Sequence, residues 1–196
     1  MKVHPALFHF LTKTTSAPPT WALGRKFEDG LGNEFMLVLH NTPTAGVACT
    51  AGSPVGQLDG GEFYEVTTDL SQSDVGKLVG MNMVDITAAE SLAGETYHWV
   101  MTKGAPADYA SGGRGVPLGD STNKFNPNVN PIAGMLTDGT VADAYALYWQ
   151  ADNTWGGTND LGTGAVPGGW AKAADTATNL APADAFIDVG RQVAAA

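Results

Sequence analysis

The sequence predicts an all-β protein, a β-barrel or β-sandwich with an extended N-terminal arm and long loops. Three observations predict it. Gly (25) and Pro (11) are both frequent among 196 residues, which suits short strands joined by many turns. Apolar residues make up 43% of the chain, enough for a core, so wholesale disorder is excluded. The apolar residues fall in short continuous or alternating runs bounded by turn residues.

Taken in order, residues 1–20 form the arm and residues 21–196 a single β domain. The arm carries Leu7, Phe8, Phe10 and Leu11, and ends in Ser16-Ala17-Pro18-Pro19-Thr20. A Pro-Pro pair belongs in neither a helix interior nor a central strand and favours extended backbone. The arm is therefore either extended or, over 5–13, a short amphipathic helix. In both forms its large side chains want an apolar surface, which is expected on a neighbouring subunit. The opposing reading is a frayed, solvated terminus.

From Trp21 the pattern turns to β. Lys26 to Phe35 reads as a tight hairpin whose Asp29-Gly30 and Gly32-Asn33 steps supply positive φ. Phe35-Met36-Leu37-Val38-Leu39 is a continuous apolar strand, expected to be buried on both faces. Residues 52–56 read as a turn and short strand. Residues 62–68 read as a strand with Phe63 and Tyr64 as its aromatic content. Residues 77–86 are β-rich, with Gly80 as a bulge. Residues 95–102 alternate, with Tyr97, Trp99 and Met101 on one face and Thr96, His98 and Val100 on the other, which predicts a half-buried strand.

Residues 104–131 and 150–168 are rich in Gly, Pro, Asn and Asp and read as inserted loops. A loop as long as the first is seldom idle in a compact domain, and Tyr109 and Phe125 are its expected anchors on another chain. Val141 to Trp149 is either a strand or a short helix. Ala185 to Val189 reads as a closing strand. No internal repeat is visible.

The net charge of −10 argues against nucleic acid or an anionic membrane as partner. The charge is uneven. Residues 1–27 hold Lys2, Lys13, Arg25 and Lys26 with no acid, so that segment is +4 and the remainder −14. A basic arm on an acidic body can reach onto an acidic neighbour or another copy of itself.

Cys49 is the single cysteine, so no internal disulfide forms and the fold needs no oxidising compartment. It sits in the small apolar run Gly46-Val47-Ala48-Cys49-Thr50 and reads as a buried structural thiol. The N-terminal apolar stretch is short and carries a histidine, unlike a signal peptide, and no run reaches transmembrane length.

The sequence shows no paired cysteines, HExxH, EF-hand loop, nucleophile elbow or phosphate loop. His4, His9, His40 and His98 match no metal spacing. Residues 152–160 carry oxygen donors and glycines but lack the alternation and closing Glu of a calcium loop. Trp149, Trp155 and Trp170 suit either sugar stacking or packing, and packing is the commoner use. No catalytic, cofactor or metal residue is therefore expected.

Several short motifs occur in the order found in a known family: Leu23-Gly24, Asp29-Gly30 with Gly32-Asn33-Glu34-Phe35, Ala51-Gly52-Ser53-Pro54-Val55, Gly94-Glu95-Thr96-Tyr97-His98-Trp99-Val100, and Gly169-Trp170-Ala171. Over residues 21–103 and 168–190 the chain resembles the head decoration (capsid cement) proteins of bacteriophage virions. The loops at 104–131 and 150–168 depart from the compact version of that family. The resemblance implies a non-enzymatic protein, made in the host cytoplasm, that sits on the capsid surface as a homotrimer. It implies contact with the major capsid protein and with copies of itself, and no nucleic acid, membrane or cofactor. The alternative expectation is a β-sandwich receptor- or carbohydrate-binding module of a tail or cell-surface assembly.

Overall fold

The computed structural model describes residues 13–15, 22–42, 46–69, 73–105, 135–137, 146–149, 155–156, 169–171, 181–183 and 185–188. Of these, 51% are in strands and 8% in helix, which makes the chain all-β in class. Of residues 152–160, read from the sequence as a Gly-rich turn and not as a calcium loop, only Trp155–Gly156 are described.

The elements run β1 (Lys13–Thr15), β2 (Lys26–Glu28), β3 (Glu34–His40), β4 (Pro54–Leu58), β5 (Glu65–Thr67), β6 (Ser73–Asn82), α1 (Ala88–Ala93) and β7 (Thr96–Gly104). Six short strands follow: β8 (Met135–Thr137), β9 (Ala146–Trp149), β10 (Trp155–Gly156), β11 (Gly169–Ala171), β12 (Ala181–Ala183) and β13 (Ala185–Asp188). The open alternative at Val141–Trp149 thus resolves as strand over its last four residues. The second expected loop contains the two-residue β10.

β3 and β7 form the central antiparallel pair, in register from His40↔Thr96 to Phe35↔Met101. β7 also pairs with β6, β6 with β4, β4 with β5, and β5 runs parallel beside β3. This chain of pairings returns to its starting strand. β2 extends the sheet from β3, closing the hairpin expected at 26–35. The C-terminal strands extend it from β7 through β13, in the order β13-β11-β9-β10-β8-β12. Among the described residues, the far end of β7 is bordered by β1.

Register decides which side chains share a face. Met36, Val38 and His40 on β3 lie beside Val100, His98 and Thr96 on β7, respectively. Met36, Val38 and Val100 join Cys49, Val55, Val66, Val84 and Ile86 in one buried cluster. On the opposite face Phe35 and Leu37 lie beside Met101 and Trp99, also buried, with Phe27 edge-on to Trp99 at 6.0 Å. β7 is therefore buried on both faces rather than half-buried. The alternation gives the two faces correctly, but Thr96, His98 and Val100 on the second face are buried as fully as Trp99 and Met101 on the first.

Two glycines have stated roles. Gly32, with φ 86°, turns the β2–β3 loop, whereas Gly30 does not take the positive φ expected of the Asp29-Gly30 step. Asp29 braces the same loop, its carboxylate accepting from Leu31 N and from Asn33 N and Nδ2. At Gly80 a Cβ would stand 2.5 Å from the Met101 carbonyl oxygen, so β6 approaches β7 as closely as it does only with glycine there. The expected bulge lies beside it, since Val55 faces Gly80 and Gly56 faces Leu78, leaving Val79 as the extra residue.

Two expectations fail locally. Phe63 and Tyr64 precede β5 instead of belonging to it. Phe63 is 56% exposed and packs on Gly24, where only a glycine leaves room for its ring. The second concerns the arm. Residues 13–15 pair with β7 of their own chain, not with a neighbour, and Lys13 finds a carbonyl on Asp85 and a carboxylate on Glu90. The rest of 1–20 lies outside the described residues.

Candidate functional site

Among the described residues, a group of buried polar side chains collects at one end of the buried face. β3 ends there in His40 and β7 begins there with Thr96 and His98, all fully or almost fully buried. His40 Nδ1 stands 3.2 Å from His98 Nε2, and His98 Nδ1 stands 3.2 Å from the Trp99 carbonyl oxygen. A carbonyl only accepts, so His98 Nδ1 carries the proton and donates to it. His98 Nε2 is then the acceptor for a proton on His40 Nδ1. That leaves His40 Nε2 as a bare lone pair, and it has no hydrogen-bond partner among the described residues.

The electrostatics agree with two neutral rings. Burial, and then the adjacent His98, hold His40 well below the ordinary histidine value. Burial brings His98 down to about 4; the bond to the Trp99 carbonyl works against this and the charge of Lys13 works with it.

A set of hydroxyls lies next to the pair. Thr42 Oγ1 is 2.6 Å from Ser91 Oγ and 3.1 Å from Thr67 Oγ1, and Thr42 N donates to the Ser91 carbonyl. Thr96 Oγ1 donates to the Glu90 carbonyl at 3.0 Å. Ser91 and Glu90 belong to α1, so this helix is tied over the polar end of the core.

α1 forms because Thr87 and Glu90 make a reciprocal cap. Thr87 Oγ1 accepts from Glu90 N, and Glu90 Oε2 accepts from Thr87 N. Gly94, with φ 65°, ends it in the left-handed conformation. The helix buries Ser91 and leaves Leu92 exposed, the reverse of an amphipathic core helix, because hydroxyls lie beneath it.

β1 closes the remaining side. Lys13 stands opposite His98 in register, and its ammonium donates to the Asp85 carbonyl at 2.7 Å and to Glu90 Oε2 at 2.6 Å. Burial alone would raise the Glu90 carboxyl, but the Lys13 and Thr87 hydrogen bonds outweigh it and hold the group below its ordinary value.

Cys49 lies in the same core. It receives a hydrogen bond from Asn82 Nδ2 at 3.0 Å, and Asn82 Nδ2 also donates to the Val84 carbonyl. Burial, together with the Asp85 charge, raises the thiol far above its ordinary value, outweighing the Asn82 and Ser53 hydrogen bonds. A fully buried, protonated thiol is no nucleophile at neutral pH, in keeping with its structural reading.

Among the described residues, no three His, Cys, Asp or Glu side chains are placed to hold a metal ion. No helix there is long and apolar enough to cross a membrane. The expected partner contacts Leu7, Phe8, Phe10, Leu11, Tyr109 and Phe125 all lie outside the described residues.

From the sequence, His40, His98 and Glu90 receive no role, and Lys13 counts only in the charge of the N-terminal segment. One signal was available, because Thr87-Ala88-Ala89-Glu90 has capping-box spacing and marks a helix start. The histidine pairing had no such signal, since it depends on the register between β3 and β7. No protein-family model matches the chain, and no curated protein matches it at a significant level.

Proposed function

We propose that this chain is a non-enzymatic structural virion protein that binds the outside of a phage capsid and stabilises it, as a head decoration or minor capsid protein. The observation that carries the reading is the closed circuit of pairings β3-β7-β6-β4-β5-β3. We read it as a small β-barrel, a rigid body from which arm and loops extend to neighbours. A barrel has no free edges along its circuit, which suits a protein packed at high local concentration.

The chemistry of the described core supports the same reading. Its two histidines and its cysteine are sealed from solvent and uncharged at neutral pH, so they present no group to a substrate there. The charge division adds a mode of attachment. Part of the +4 of residues 1–27 is used within the chain, where Lys13 meets Glu90; the rest of that segment on an otherwise acidic body suits an acidic neighbour or another copy, in a homotrimer seated on the major capsid protein.

The test is binding of the purified protein to undecorated phage heads, followed by co-sedimentation. Saturable binding in many copies per head is expected. Deleting residues 1–12, which leaves β1 in place, should keep a folded body and weaken attachment. Attachment unaffected by that deletion would remove the arm from the account, and no binding to any undecorated head would remove the capsid role.

A further inference from the structure

We propose that the cover formed by β1 and α1 is an acid-released latch, sprung when a proton enters the buried His40–His98 pair. The inference stands on the geometry of the covered end and does not depend on the virion reading.

The pair is built to be neutral. The single chain of donors runs from His40 Nδ1 through His98 to the Trp99 carbonyl, and the one free ring nitrogen, His40 Nε2, is a lone pair with nothing to donate to it. A proton arriving at His40 Nε2 creates a buried N–H with no acceptor among the described residues. A proton arriving at His98 Nε2 opposes the donor on His40. Either way a charge appears where burial gives it no solvation.

The charged groups around the pair give no relief. Across β1, Lys13 faces His98 directly and is itself cationic. From α1, Glu90 is already engaged by Lys13 and by Thr87. From the segment before α1, Asp85 offers its carbonyl to Lys13 and its carboxylate to Ala51 N. β6 presents Asn82, and β5 presents Val66 beside His40, while Glu65 pairs with Leu39 on the opposite face. Cys49 stays protonated. Among the described residues no carboxylate is hydrogen-bonded to either ring.

The weakest boundary is the one that yields. β7 is held by β3 along its length, whereas β1 contributes three register pairs, Lys13 and two exposed threonines, with no apolar side chain. α1 is also attached by polar bonds, burying only Ser91. Lifting β1 and α1 admits water to the charged ring and separates Lys13 from it, while the apolar cluster around Val38, Val66 and Val100 stays packed. Acid therefore frees the N-terminal segment before it unfolds the body.

The test uses the full chain with Thr14→Cys carrying a fluorophore, since Thr14 is exposed and Cys49 is buried in the folded protein. Label anisotropy reports β1, and far-ultraviolet circular dichroism reports the strands. Between pH 7.5 and 4.0 the anisotropy should fall while the strand signal is kept. Adding His98→Gln should move that midpoint by at least one pH unit or abolish the transition. A single transition in both signals, or an unchanged midpoint in the His98→Gln protein, overturns the latch. Should His98→Gln not fold, the unsubstituted rings are followed by NMR. Protonation of His40 or His98 over the same pH range as release supports the proposal, and release with both rings neutral overturns it.

Discussion

His98 sets the acid limit of the fold. Its pKa is about 4 in the native chain against an ordinary 6.5, so between these values the unfolded chain binds more protons than the folded one. Stability is thus complete above about pH 6.5 and falls as the pH drops toward 4. At about 1.4 kcal/mol per unit, His98 alone accounts for a loss of about 3 kcal/mol, and His40 acts in the same direction. Urea denaturation at pH 7.5 and pH 4.5 measures this, and equal midpoints would contradict it. Gly80 gives a second expectation at this scale. Gly80→Ala puts a methyl against the Met101 carbonyl and should destabilise by about 1–3 kcal/mol, with the melting temperature as readout. The sequence showed Gly80 as special and placed His98 on the Val100 face correctly. It could not show that His98 meets His40, because the residues are 58 apart and joined only by strand register.

At the scale of elements, α1 depends on its cap more than on packing. Thr87→Ala removes the Oγ1 that accepts from Glu90 N, and should cost about 1 kcal/mol of stability. Amide exchange should quicken in α1 first and leave the centre of β7 protected; uniform quickening would contradict the assignment of α1 as a cover. Strands with strong apolar or alternating patterns were legible: β3 within a residue, β7 nearly so, and the β2–β3 hairpin, whose positive φ comes from Gly32 of the Gly-Asn step and not from Gly30. β5 was legible only in position, since Phe63 and Tyr64 carry β propensity but pack outside the strand. α1 escaped because it is six residues long and hides a serine, which gives no hydrophobic period to detect. β1 escaped because Lys-Thr-Thr has no apolar content and pairs through its backbone and one ion pair.

For the whole molecule, composition gave the class and register gave the closure. Abundant Gly and Pro with short apolar runs predict strands, and far-ultraviolet circular dichroism of the purified chain should show far less than one-third helix. The circuit through β3, β7, β6, β4 and β5 was not legible, because it requires a parallel β3–β5 pairing that sets Leu39 beside Glu65 and His40 beside Val66, far apart in sequence. The charge division was legible at once and remains the main argument for contacts beyond this chain. The most direct measurement of the central claim is a reconstruction of the native particle in which the chain is located and counted. The account predicts many copies in a symmetric lattice on the outside of the major capsid shell. A few copies confined to a tail tip, or none in the particle, would contradict it.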